Sequence, residues 1–157
     1  MRLGDLVVLS AVLAAPLAAQ DSAFRALQDR GKTAMGVDQY TSLHRFDPLP
    51  DGGRIALLRD STDAAGVATI RTHLRDVSRA FAAGEFAVPG FVHGREVPGT
   101  RVMAVRKNAI RYVFHPLPGG GEVRIVTRDS AAVRAVHDFL AFQRMDHRVD
   151  GNAPHRH

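Results

Sequence analysis

The chain has 157 residues, 45% of them hydrophobic and 24% charged, a size and balance that fit one ordinary globular domain. It holds no cysteine, which excludes disulfides, thiolate metal sites and cysteine nucleophiles. Its formal net charge of +5 is carried almost wholly by arginine, Lys32 and Lys107 being the lysines, and no run of like charges gathers it into a nucleic-acid-binding stripe.

Behind Arg2, residues 6–15 (LVVLSAVLAA) form an apolar core, and Pro16-Leu17-Ala18-Ala19 supplies small residues at a cleavage point. Residues 1–19 therefore read as a cleaved signal peptide, and the mature protein as periplasmic or secreted. The apolar run is too short to span a bilayer, so no transmembrane segment is expected once the signal is removed. An oxidising compartment without cysteine leaves stability to the core alone. Residues 20–39 are polar and weakly patterned, interrupted by Gly31 and Gly36, and read as a linker or short helix.

A single domain is expected over 40–149. Residues 40–46 alternate, with Tyr40, Ser42, His44 and Phe46 on one face; 47–53 (DPLPDGG) is dense turn chemistry; and 54–59 (RIALLR) is a second strand, giving an antiparallel hairpin. Ser61, Thr62 and Asp63 offer N-caps for a helix over 64–83, whose buried stripe is Val67, Ile70, Leu74, Val77 and Phe81, with His73 on its flank and Gly84 as C-cap. Residues 85–99 (EFAVPGFVHGREVPG) carry prolines and glycines without a lasting period and read as an ordered loop with His93 at its middle.

A three-stranded meander is expected next: 101–106 (RVMAVR), 110–115 (IRYVFH) and 122–127 (EVRIVT), joined by turns at 107–109 and 116–121. Ile110, Tyr112 and Phe114 face one way. Asp129 or Ser130 then caps a last helix over 130–148, with Ala132, Val133, Val136, Phe139 and Leu140 on its apolar face. That stripe continues to Gln143 and His147, where buried polar atoms need hydrogen bonds or a metal. Residues 150–157 read as a flexible tail. The order strand-strand-helix-strand-strand-strand-helix predicts an α+β fold, an antiparallel sheet with two helices packed on one face.

The stretches 70–86 (IRTHLRDVSRAFAAGEF), the His93 loop with Val97-Pro98-Gly99 and Met103, and 135–148 (AVHDFLAFQRMDHR) resemble a family of small, largely uncharacterised exported bacterial proteins. Some of its members bear the name aspartate carbamoyltransferase. The resemblance covers about 39–151 and implies one compact exported domain. It transfers no activity: the chain is far shorter than a catalytic carbamoyltransferase chain, lacks a Ser-Thr-Arg-Thr phosphate loop, and has no cysteines for the regulatory chain's zinc site.

Eight histidines direct attention to metals, since neutral imidazole is the commonest metal ligand. Imidazole with thioether suits copper, imidazole suits zinc, and either serves haem as an axial ligand. His44, His73, His93, Met103 and His147 are the candidate ligands. His137 and His147 lie ten residues apart on one helix, roughly 15 Å, and cannot share an ion. Blander roles stand beside these: His73 and His137 as hydrogen-bonded boundary residues, His147 as a helix-capping cation, Met103 as core. No GxSxG, P-loop or dinucleotide fingerprint is present, Gly119-Gly120-Gly121 lies in a hairpin turn, and Asp138 and Asp146 have no dyad or triad spacing. The expectation is an exported small protein that binds copper, zinc or haem through His and Met side chains. A non-metal ligand-binding or protein-interaction module is the alternative, and a hydrolase or transferase comes third.

Overall fold

The computed structural model describes residues 17–36, 38 and 41–149, with side chains from Asp21 onward. The expected signal peptide, apart from its last residues, the start of the first predicted strand at Tyr40, and the 150–157 tail lie outside the described residues.

Four strands form one antiparallel sheet: β1 (Leu43–Leu49), β2 (Gly52–Leu58), β3 (Ile110–Leu117) and β4 (Gly120–Thr127), in the spatial order β1-β2-β4-β3. Two tight hairpins build it, and β2 pairs with β4 to join them, with Ile55 opposite both Phe46 and Val123. The period of two puts Phe46, Ile55, Leu57, Val123, Ile125 and Ile110 on one face, where they join a single hydrophobic core. The other face carries Asp47, Arg54, Glu122 and Arg124, and Arg54 bridges Asp47 at 2.5 Å and Glu122 at 3.7 Å.

Helices α2 (Ala64–Ala83) and α5 (Ser130–Asp146) cover the apolar face, α2 over β3 and β4, α5 over β1 and β2. The α+β class and its layer of helices on an antiparallel sheet are as the sequence predicts. So are the caps: Asp63 accepts from the Gly66 N–H at 2.9 Å, and Asp129 from Ala131 and Ala132. Arg71 of α2 donates to the Leu117 and Gly120 carbonyls at 2.7 and 2.9 Å, fastening the helix to the β3–β4 turn, the turn that holds the glycine run.

Three expectations are corrected. The 20–39 stretch, read as a linker or short helix, is largely occupied by a longer helix of 19 residues, α1 (Leu17–Met35), whose buried stripe is Leu27, Gln28, Gly31 and Met35. The 85–99 loop contains a short helix, α3 (Ala87–His93), with Pro89 in the first turn, where no N–H is needed, and Gly94 closing it at φ 65. The predicted strand 101–106 is helix α4 (Thr100–Val105), which leaves four strands in the sheet, not five. Val102 and Val105 are exposed while Thr100 and Met103, three apart, turn inward. The docking point is Gly99, at φ 82, where a Cβ would lie 2.0 Å from the Ala135 carbonyl oxygen of α5. A backbone contact that close is open to glycine alone, and it overrides the strand preference of a valine-rich hexapeptide.

Candidate histidine cluster and cavity

Three of the five candidate ligands meet. His44 points inward from β1 on the face of Phe46, as the alternation predicts; His93 ends α3; and His147 is the C-cap of α5. Each is at least nine-tenths buried. The His44 and His147 rings lie 5.5 Å apart between centroids and nearly parallel, at 12°. The His93 and His147 rings are 5.1 Å apart and perpendicular, at 88°. Phe46 stacks on His147 at 5.5 Å, and Phe142 meets His93 edge-on at 4.9 Å.

The last turn of α5 organises the cluster. His93 Nδ1–H donates to Asp146 Oδ2 at 2.5 Å, while His93 Nε2 lies 3.0 Å from Gln143 Oε1. A neutral imidazole has one N–H. In the tautomer that gives this proton to Asp146, Nε2 carries a lone pair, which is satisfied only if the Gln143 amide is turned to present its NH2 in place of Oε1. A histidine whose outer nitrogen is held by a carboxylate and whose inner nitrogen carries the lone pair has the orientation of a metal-ligating histidine. Arg144 donates to the Phe46 carbonyl at 3.0 Å, which holds this end of α5 against β1. Outside, Arg95 lies over the Phe142 ring at 4.7 Å and within 3.7 Å of Asp146.

Burial pushes the His147 imidazole down to about 3, and the neighbouring His44 and His93 push in the same direction. The expected helix-capping cation is therefore a neutral ring, because desolvation there outweighs the helix dipole. Burial also holds His73 below the usual histidine range, opposed by Asp76 and by a hydrogen bond to the Ala34 backbone.

The three histidines and Gln143 line part of a half-open cavity of about 80 Å³. Its walls come from α1 (Gly31, Ala34, Met35), the sheet (Ile55, Leu57), α2 (Leu74, Val77, Phe81) and α3 (Val88, Pro89, Val92). His73 stands on the same wall from α2, outside the ring cluster. Met103, on the inward side of α4, is fully buried in the core and does not line the cavity, so its expected part as a thioether ligand gives way to the core role. His137 donates to the Leu49 carbonyl at 2.9 Å, a boundary contact as the blander reading has it. Asp146, which sequence spacing leaves without a role, is the partner that orients His93; its signal was its place in the same last turn as Gln143. As the side chains stand, no three His, Asp or Glu groups among the described residues are arranged to hold one metal ion.

Comparison with protein-family models, with curated proteins and with solved structures finds no match to this chain.

Proposed function

We propose that this chain is an exported small binding protein whose site is the His44–His93–His147 cluster and whose ligand is a transition-metal ion, copper or zinc. The reading is carried by one observation: side chains far apart in sequence meet as buried rings, with a carboxylate behind one of them. Two imidazoles that share a tetrahedral ion have ring centroids roughly 5 Å apart, given metal–nitrogen distances of about 2.0–2.1 Å. The separations of 5.1 and 5.5 Å match that spacing. The orientations do not yet converge, and uptake requires His93 Nε2 to exchange the Gln143 amide for the ion. Neutral His147 supports the reading, since an ion competes with no proton there at pH 7. Haem is disfavoured by size: about 80 Å³ is far below the roughly 300–1,000 Å³ of cofactor pockets.

The test is elemental analysis and calorimetric titration with copper and zinc, on untagged protein with His155 and His157 changed to alanine to remove tail binding. About one equivalent, abolished by His147→Ala or His93→Ala and kept by His137→Ala, is the expected result. Uptake that is absent in the parent, or equal in all three variants, overturns the proposal.

A further inference from the structure

From the rest of the cavity we infer a second binding site, for a small uncharged apolar molecule of a few heavy atoms, seated between α1, α2 and α3. The inference does not rest on metal binding at the histidines.

Gly31 is the first observation. It sits four residues before the end of α1, is buried and lines the cavity, yet a Cβ built on it meets nothing within 4 Å. Glycine in a helix interior costs about 1 kcal/mol relative to alanine, and empty apolar space costs more in lost contacts. Both costs fall at one position and both would be relieved by one larger side chain. Ala34, one turn on, keeps the same wall thin. The sequence thus leaves open a space that ordinary packing would close.

The chemistry of the walls is the second. Leu57, Leu74, Val77 and Val92 give water few partners, and dry cavities of this kind take apolar guests; an engineered cavity of about 150 Å³ accepts benzene or xenon. The whole cavity is about 80 Å³, so a guest seated in the part away from the histidine cluster is smaller than benzene. An entry route is present too. Ala34, Met35 and His73 line both this chamber and an open groove between α1 and α2 that carries Thr69, Thr72 and Asp76.

Xenon is the probe. Amide spectra of the metal-free full chain, recorded in chelator under increasing xenon pressure, should show saturable shifts at Ala34, Leu74, Val77 and Val92. Gly31→Leu should abolish the saturation and Gly31→Ala weaken it, both with melting temperatures at or above the parent's. Unsaturable, chain-wide shifts in the parent, or full saturation in a folded Gly31→Leu, overturn the inference. If Gly31→Leu fails to fold, Gly31→Ala decides: unchanged saturation overturns it and weaker saturation upholds it.

Discussion

His147 makes the stability of this fold depend on pH over a window set by burial. In the folded chain its imidazole stays neutral down to about pH 3; in the unfolded chain it takes a proton below about 6.5. Between those values the unfolded state binds more protons, so stability is fully present above about pH 6.5 and falls as pH falls. Each unit is worth about 1.4 kcal/mol, so moving from pH 7.5 to pH 5 removes about 2 kcal/mol, with a ceiling of roughly 4–5 kcal/mol near pH 3. His73, also held low by burial, adds in the same direction. The carboxylates of Asp51, Asp60 and Asp129, held low by hydrogen bonds, lose their contribution only as pH falls below about 4, at the acid end of the His147 window, so the span from pH 7.5 to 5 reports the histidines. Urea unfolding at pH 5, 6 and 7.5 in chelator measures the slope, and His147→Phe, which keeps a ring between His44 and Phe46, should flatten it. A folded-state His147 ring that titrates near pH 6.5, or stability level across that range, refutes the account.

Three further outcomes follow from particular contacts. Gly99→Ala drives a Cβ into the Ala135 carbonyl at a positive φ and should cost about 3 kcal/mol or more in urea unfolding; a loss under about 1 kcal/mol would mean that α4 does not dock on α5 as described. Arg71→Met removes two charged hydrogen bonds to the β3–β4 turn and should cost about 2 kcal/mol, with amide exchange fastest at Leu117 and Gly120; unchanged protection there counts against the tether. Asp146→Asn keeps a hydrogen-bond partner for His93 but loses the carboxylate, and should weaken metal affinity about 10–100-fold by calorimetry with little change in melting temperature. Equal affinity would leave Asp146 without a role in orienting His93 for an ion.

The long elements were legible because their periods are strong. The stripe from Val67 to Phe81 and the alternation of Ile110, Tyr112 and Phe114 need no tertiary information to be read. Helix α1 escaped because its buried stripe includes Gln28 and Gly31, so its inward face carries no apolar period. Helices α3 and α4, at seven and six residues, are too short for a period to emerge. What makes α4 a helix is a contact of Gly99 with Ala135, 36 residues away, and composition cannot report it.

The site was legible in a different way. His44 alternates with Phe46, and Gln143 and His147 extend the stripe of Leu140, so each is a polar residue where its element's own pattern calls for an apolar one. Taken singly, such a residue is an ordinary satisfied boundary group, as His137 proves to be with the Leu49 carbonyl. The fold changes the weight of the argument. Buried polar groups each carry a desolvation cost, and placing His44, His93, Gln143 and His147 on the walls of one cavity concentrates that cost where isolated boundary groups would spread it. Stability alone gives no reason for the concentration, because apolar residues of similar volume would pack there without it. A ligand that binds the cluster gives one, and that is why the histidines should be tested together rather than one at a time.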